Sequence, residues 1–225
     1  MDHPRVDYDG DGLREEQLLE TPFAQARLWV DDAVARSQVE KDVFEPLAMS
    51  VATVDAAGVP NVRTVLMRFL DERGPGFVTA LSSAKGEELS ANPVMAIALT
   101  WPAMYRAIRF RGRAVQVDRD EVLQYWHSRP WASRISAWAS QQSQPVASRA
   151  ELEEAYARRA AEFPDTGRDD DVPVPEFWGG FRVLPDEVEF WGGRRNRLHD
   201  RLVCTRVGDG DLGTAAAWQV HRRQP

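Results

Sequence analysis

Apolar side chains recur at helical spacing near the start of the chain. They lie three or four residues apart over residues 22–37, at Phe23, Ala26, Trp29, Ala33 and Val34. Thr21 followed by Pro22 is typical of an N-cap and a proline in the first helical turn. Residues 1–20 are polar and predict a flexible or loosely docked N-terminal arm. We therefore expect one folded domain over 21–225.

The pattern changes at residue 47 to short β segments separated by turns that contain Gly, Pro or Asp. Strands are predicted at 47–55, 62–71, 76–81, 94–101, 105–118, 179–184, 187–191, 201–207 and 215–220. Within 105–118 polar and apolar residues alternate, which predicts one wet face with Ala107, Arg109, Arg111 and Arg113. Further helices are predicted at 84–90, 118–127, 133–140 and, behind a Ser148–Glu151 capping box, 147–163. This order favours an antiparallel barrel decorated by helices.

Composition and charge narrow the function classes. The 225 residues carry 28 Lys+Arg against 35 Asp+Glu, a net charge of −7, which argues against a general nucleic-acid binder. The sequence contains no run of 18 apolar residues, so no membrane span is predicted, and its first residues do not have the apolar stretch of a secretory signal. One cysteine, Cys204, leaves no internal disulfide and offers no metal-ligand spacing with the four histidines. We expect a soluble, cytoplasmic protein without a metal.

Three polar and aromatic clusters interrupt this pattern, and the sequence holds no Walker, Rossmann, nucleophile-elbow or zincin motif. The first cluster runs from Arg63 to Arg68 and continues at Thr79, Ser82, Ser83 and Lys85. The second covers 125–133 and continues to Gln142 and Ser143, and the third covers 189–201. Hydroxyls, backbone N–H groups and a cation at the start of a helix suit a phosphate.

Each cluster also has an ordinary structural explanation. Strand arginines and a lysine opening a short helix usually lie at the surface, and tryptophans such as Trp191 usually pack in the core. His199 alone is more often structural than catalytic. However, Arg197, His199 and Arg201 alternate, so on an extended backbone they project from one face and repel unless an anion lies between them. Together the clusters predict a small ligand that is both anionic and flat.

Three segments carry a resemblance to a known family: YWHSRPWASRISAWASQQS (125–143), EFWGGFRV (176–183) and EFWGGRRNRLHDR (189–201). The sequence resembles the pyridoxine/pyridoxamine 5′-phosphate oxidases from residue 22 to the closing proline. The resemblance implies a split β-barrel, mainly β with flanking helices, in a homodimer with FMN at the subunit interface. It also implies oxidation of pyridoxamine or pyridoxine 5′-phosphate to pyridoxal 5′-phosphate by O2, with release of hydrogen peroxide, in vitamin B6 metabolism.

The resemblance also implies roles for individual residues. The FMN-binding residues would be Arg63, Thr64, Val65, Leu66, Met67, Arg68, Val78, Thr79 and Lys85, completed from the other subunit by Gln142, Ser143, Trp191 and Arg201. The substrate phosphate would be held by Tyr125, Arg129 and Ser133, with Arg68 also facing substrate. Arg197 and His199 would lie over the pyridine ring as the catalytic residues.

Three positions depart from the family pattern. Arg68 stands where lysine is usual, Ala84 where an arginine is common, and Ala107 where a glutamine normally contacts the flavin. Loss of one neutral hydrogen bond costs about 1 kcal/mol, so weaker rather than absent FMN binding is expected. Two other hypotheses stay open: an FMN-dependent oxidase of a phenazine precursor or other specialised metabolite, and a non-catalytic carrier or sensor of FMN or pyridoxal phosphate.

Overall fold

A computed structural model describes residues 7–225. Its five α-helices are α1 (Pro22–Val39), α2 (Ala84–Ala91), α3 (Arg119–Ser128), α4 (Trp131–Ala139) and α5 (Arg149–Glu162). Helix α1 begins as the sequence predicts, because the Thr21 hydroxyl accepts a hydrogen bond from the Ala24 amide and proline follows the cap. No helix of the described residues is long and apolar enough to cross a bilayer.

One antiparallel sheet of nine strands forms the body of the described chain. Its strands are β1 (Ala48–Val54), β2 (Pro60–Leu66), β3 (Phe69–Asp71), β4 (Gly74–Ala80), β5 (Val94–Trp101), β6 (Arg106–Gln116), β7 (Trp178–Gly192), β8 (Asp200–Arg206) and β9 (Trp218–Arg222). The strand order is β2-β1-β5-β6-β7-β4-β3, and β8 pairs with β7 and β9. Strand β4 pairs with the first residues of β7 and β8 with the last, so the sheet divides along β7 as in a split barrel.

The sheet and the helices enclose two hydrophobic cores. The larger core lies between α1 and the inner face of the sheet, where Trp29 packs edge-on against Phe190 with ring centroids 5.6 Å apart. The predicted alternation of β6 is confirmed, since Ile108 and Phe110 are fully buried. A second, smaller core around Trp126 joins α3, α4 and α5 to the start of β7. It lies next to the candidate site.

Predicted strand bounds are wrong in three places; in the last, 215–220, residues Ala215–Ala217 form a 3-10 turn and β9 begins only at Trp218. Segment 62–71 breaks into β2 and β3, because the Met67 amide donates to Leu47 on one side and the Arg68 amide to Gly76 on the other. Segments 179–184 and 187–191 instead form the single strand β7, which keeps its pairing with β6 through a bulge at Asp186, opposite Arg111 and Gly112. A Cβ at position 112 would lie 2.2 Å from the Leu184 carbonyl oxygen, so the bulge requires glycine.

The described part of the predicted N-terminal arm, residues 7–20, is docked on the sheet. Leu13 is only 4% exposed, and its amide donates to the Asp200 carboxylate over 2.9 Å. Glu15 forms an ion pair with Arg222 of β9, with 2.7 Å between Oε2 and Nη2. Residues 1–6 of the predicted arm lie outside the described residues. The arm therefore packs on the last two strands.

Candidate functional site

A buried lysine cluster, composed of Thr79, Ser83, Lys85 and Gln142, forms where β4 leads into α2. Lys85 Nζ lies 3.1 Å from the Thr79 hydroxyl oxygen and 3.1 Å from Gln142 Oε1. The Ser83 hydroxyl caps α2 by accepting from the Gly86 amide. Gly86 lets this first turn approach β4 closely, since a Cβ there would lie 2.1 Å from the Leu81 carbonyl oxygen.

The charge of Lys85 is poorly compensated within the chain. Only 6% of the residue is exposed, and none of the described carboxylates lies within ion-pair distance of its Nζ. Burial, helped by the nearby Arg63 charge, lowers the pKa of Lys85 to about 8. A buried cation surrounded by hydroxyl and amide groups is suited to a phosphate, which supplies the missing negative charge. The lysine cluster therefore fits the phosphate of FMN.

Arg63 lies beside the lysine cluster and is held by a carboxylate of α2. Its Nη2 donates to Glu88 Oε2 over 2.7 Å, and Glu88 also accepts from Asn61 and from the Thr53 hydroxyl. Burial raises the pKa of Glu88, but the three hydrogen bonds and the Arg63 charge outweigh it and hold the pKa below its ordinary value. Glu88 therefore stays ionised and fixes the guanidinium.

Replacing Glu88 with glutamine is expected to reduce the free energy of unfolding by about 2 kcal/mol, because Arg63 loses its anionic partner in a poorly solvated position. Urea unfolding measures the change. The matched control is Glu87→Gln on the exposed face of the same helix, expected to change stability by less than about 0.5 kcal/mol. Equal losses in the two variants would contradict this role for Glu88.

Arg129 forms a second cation site beside the lysine cluster. Its guanidinium carbon lies 4.6 Å from the Trp178 ring centroid and 5.3 Å from that of Trp126. Burial lowers the pKa of Arg129, and its Nη1 is buried without a hydrogen-bond partner among residues 7–225. A cavity of about 190 Å³ is lined by Arg129, Trp178 and Gln142. Arg129 and the lysine cluster therefore border the same cavity.

Two other predicted substrate residues lie near Arg129. Tyr125 is in the same helix, α3, and the exposed Arg68 guanidinium carbon lies 5.7 Å from its ring centroid. Ser133 is half-buried in the first turn of α4, with its amide bonded to the Pro130 carbonyl. The arrangement offers two guanidiniums and two hydroxyls in one region, which is suited to a second phosphate.

The third cluster surrounds a wide cavity at the other end of β7. The rings of Trp191 and His199 lie 4.7 Å apart, and Tyr8 packs against both. The cavity has about 620 Å³ and is lined by Asp7, Tyr8, Trp191, Arg194, Asn196, Arg197 and His199. Sequence reasoning missed Tyr8; the only signal was an aromatic residue in an otherwise polar arm. These aromatic side chains give the cavity an aromatic wall, against which a flat ring can pack.

The protonation state of His199 follows from its contacts. Its Nδ1 accepts a hydrogen bond from the Arg194 amide over 3.1 Å, which places the proton of the neutral ring on Nε2. Burial, followed by the neighbouring Arg197 charge, lowers the pKa of His199 below its ordinary value. His199 is therefore neutral at pH 7, with Nε2–H as a donor.

The predicted alternation of Arg197, His199 and Arg201 on one extended face is wrong. Residues 195–197 form a tight turn in which Asn196 and Arg197 have φ values of +58° and +62°, and Arg197 is exposed. Arg201 is the second residue of β8 and pairs with Glu189 of β7 over 2.7 Å. The negative charge beside Arg201 is therefore the carboxylate of Glu189 and not that of a ligand. Arg109 pairs with the same carboxylate.

The remaining predicted cofactor residues differ in exposure. Thr64 and Ser143 are exposed, Val65 and Leu66 are half-buried, and Val78 packs against the second core. Met67 is 4% exposed and belongs to the larger core, so only its backbone is available to a ligand. Ala84 is the first residue of α2, and Ala107 of β6 lies opposite Trp191 of β7. Neither alanine provides the longer side chain that the family pattern has at its position.

Within one chain the lysine cluster and the Trp191 cavity lie far apart. Thr79 pairs with Gly179 near the start of β7, whereas Trp191 lies twelve residues further along the same strand. Twelve residues of strand span about 40 Å. Gln142 was expected to join Trp191 and Arg201 from the other subunit, but it contacts Lys85 of its own chain. The predicted site residues therefore form two separate halves.

Comparisons with known proteins agree over nearly the whole chain. Residues 35–160 match the family model described as pyridoxamine 5′-phosphate oxidase, and 178–225 match the pyridoxine 5′-phosphate oxidase C-terminal dimerisation region. The pyridoxine/pyridoxamine 5′-phosphate oxidase of Kineococcus radiotolerans is 45% identical over 98% of this chain and 97% of its own. That of Pseudomonas paraeruginosa is 46% identical over 88% and 89%.

A solved structure shows the same fold. PhzG from Burkholderia lata 383, in complex with tetrahydrophenazine-1-carboxylic acid, superposes with a TM-score of 0.81 at 27% identity. The match covers 97% of this chain and all of that one. The two family models together span both halves of the site, and the oxidases are much closer in sequence than PhzG. The chain belongs to the pyridoxine/pyridoxamine 5′-phosphate oxidase family, and its cofactor is FMN.

Proposed function

We propose that the protein oxidises pyridoxamine or pyridoxine 5′-phosphate to pyridoxal 5′-phosphate. The amine reaction consumes O2 and water and yields ammonia and hydrogen peroxide; the alcohol reaction consumes O2 and yields hydrogen peroxide. The observation that carries the proposal is the half-buried Arg129, whose buried Nη1 has no hydrogen-bond partner and whose charge has no counter-ion in the described chain; it lies beside Tyr125 and the lysine cluster. A substrate phosphate supplies the missing charge.

A complete site requires two subunits in this proposal. Thr79 of β4 lies beside the start of β7 and Trp191 lies near its end, so one small ligand does not contact both within a chain. In a two-fold dimer the lysine cluster of one subunit meets the Trp191 cavity of its partner, and the symmetry forms two identical sites. The match of residues 178–225 to a dimerisation region supports this arrangement.

Bound FMN supplies the two-electron acceptor, and the chain supplies binding and orientation. Lys85, Thr79 and Gln142 would hold the FMN phosphate through charge-assisted and neutral hydrogen bonds. Trp191 would lie along a flat ring at the other end of the cofactor site. Arg201 shares the Glu189 carboxylate with Arg109, which would fix its guanidinium in place near the ring.

The substrate is held at both of its ends. Arg129, Tyr125 and Arg68 bind its phosphate, and the cavity of Arg197 and His199 takes the pyridine ring. His199 is neutral and donates from Nε2, while exposed Arg197 supplies a positive charge to the ring. These contacts place the carbon to be oxidised against the flavin and hold it there.

FMN affinity is expected to fall as the pH rises above 8. Lys85 has a pKa of about 8 without ligand, and a bound phosphate favours its charged form. Binding above pH 8 therefore takes up a proton, and affinity falls by up to about tenfold per pH unit. Fluorescence titrations of FMN from pH 6.5 to 9.5 measure this, with Lys85→Gln as a control whose profile is flatter. A flat wild-type profile would count against the assignment.

The absorption spectrum of the FMN-loaded protein tests the proposed function. Anaerobic addition of pyridoxamine 5′-phosphate is expected to bleach the flavin bands, and air is expected to restore them with pyridoxal 5′-phosphate in solution. The PhzG structure motivates a second arm with a tetrahydrophenazine carboxylic acid. Bleaching by that compound alone would overturn the proposal in favour of a phenazine-type oxidase. Bleaching by neither would leave a flavin carrier.

A further inference from the structure

We propose that Trp178 is a positioning residue that holds Arg129 ready for the substrate phosphate and ties it to the lysine cluster. The proposal rests on the proposed function for its substrate. The Arg129 guanidinium carbon lies 4.6 Å from the Trp178 ring centroid and 5.3 Å from that of Trp126. The two indoles pack edge to face, with centroids 5.5 Å apart. Arg129 thus rests on a rigid aromatic pair.

The indole N–H groups set Trp178 apart from its neighbours. Trp126, Trp131 and Trp138 of the same core each donate from Nε1 to a backbone carbonyl at 2.7–2.9 Å. Nε1 of Trp178 is buried without a partner among residues 7–225. An unpaired buried N–H destabilises the fold, so hydrogen bonding does not account for a tryptophan here. The contact of its aromatic face with Arg129 accounts for a tryptophan at this position.

An aromatic face holds the Arg129 guanidinium without neutralising its charge, which a carboxylate does not do. A carboxylate would fix Arg129 but would also neutralise it and compete with a phosphate. The ring quadrupole attracts a guanidinium without cancelling its charge. The buried Nη1 of Arg129 has no partner in the described chain, so it stays available to an incoming anion.

Trp178 also connects the two cation sites through the backbone. It pairs with Ala80 in the β4–β7 ladder, and the Ala80 amide donates to Gln142 of the lysine cluster. Its own carbonyl accepts from Arg119 Nη1 over 2.7 Å, which further fixes the start of β7. One residue therefore sets the position of Arg129 relative to Lys85.

The test compares Trp178→Phe and Trp178→Leu in the FMN-loaded protein. Phenylalanine keeps a weaker aromatic face and removes the unpaired N–H, whereas leucine removes the face. We expect KM for pyridoxamine 5′-phosphate to rise by about threefold in the first and about tenfold in the second, with kcat nearly unchanged. The melting temperature of Trp178→Phe is expected to be unchanged or higher. A purely structural tryptophan would lower stability and leave KM unchanged.

The control is Trp138→Leu. Trp138 is in the same core and stacks on Arg159 at 5.2 Å, away from Arg129, so its loss is expected to lower stability without changing KM. In an Arg129→Met background, Trp178→Phe is expected to have no further effect on KM. A KM increase of the same size in that background, or an unchanged KM in Trp178→Phe, would overturn the proposal.

Inorganic phosphate separates this proposal from the proposed function. Calorimetric titration of the FMN-loaded wild type and Trp178→Phe with inorganic phosphate needs no turnover. A threefold weaker dissociation constant in the variant, absent from the Arg129→Met pair, supports the positioning role even if pyridoxamine 5′-phosphate is not oxidised. Equal phosphate affinity in wild type and variant would overturn it, whatever the substrate.

Discussion

Replacing Arg197 with methionine is expected to lower kcat/KM for pyridoxamine 5′-phosphate by about 10²–10³-fold while the FMN content stays that of the wild type. Arg197 is exposed at the wall of the Trp191–His199 cavity, and it forms no ion pair with the described residues. Its charge is therefore free to orient the substrate, and methionine keeps much of its volume. Steady-state kinetics and flavin absorbance measure the two quantities.

The control for this prediction is Arg195→Met in the same turn. Arg195 pairs with Asp9 at the surface, and exposed pairs contribute little, so turnover is expected to change by less than about threefold. A parallel loss of FMN and turnover in Arg197→Met would show that the residue supports the fold or the cofactor, contrary to the assignment.

Replacing Lys85 with alanine is expected to weaken FMN binding by about 10–100-fold, because a charge-assisted hydrogen bond in a buried site is worth about 1.5–3 kcal/mol. The loss is specific to the phosphate, so riboflavin, which lacks it, is expected to bind wild type and variant equally. Fluorescence titration with both flavins measures the difference. Lys85 lies beside Thr79 and Gln142, and none of its described neighbours within ion-pair distance is a carboxylate.

Lys41, the other lysine of the chain, provides the matched control. It is exposed beyond the end of α1, and Lys41→Ala is expected to leave FMN affinity unchanged. If Lys85→Ala binds FMN as tightly as the Lys41 control, the lysine cluster does not hold the cofactor phosphate.

Local features of the fold were predictable from the sequence because they depend on near neighbours. The alternation along β6 predicted which residues are buried, and the Ser148 capping box predicted the start of α5, where the Ser148 hydroxyl accepts from the Glu151 amide. The start of α2, which places Lys85, was equally local. Strand breaks were not predictable, since the break at Met67 depends on backbone hydrogen bonds to Leu47 before β1 and to Gly76 of β4, which the residue pattern of the segment does not indicate.

The candidate site was likewise predictable only in its local features. Its residue types came from the family resemblance, but their contacts depend on long-range pairing. Gln142 meets Lys85 across 57 positions of chain, and no pattern in either segment indicates this. The Glu189–Arg201 pair follows from the β7–β8 register, and the turn at Arg197 departs from the extended backbone that alternation implies.

Mixing two defective variants, at an FMN concentration that loads the wild type but not Lys85→Ala, tests most directly whether the site is composed from two chains. In a hybrid dimer of Lys85→Ala and Arg197→Met, one site carries both substitutions and the other carries neither if Lys85 and Arg197 come from different subunits. Random exchange makes about half of the dimers hybrids, so turnover is expected to recover to about a quarter of the wild-type value. If both residues serve the same site from one chain, every site keeps a defect, and mixing would restore no activity.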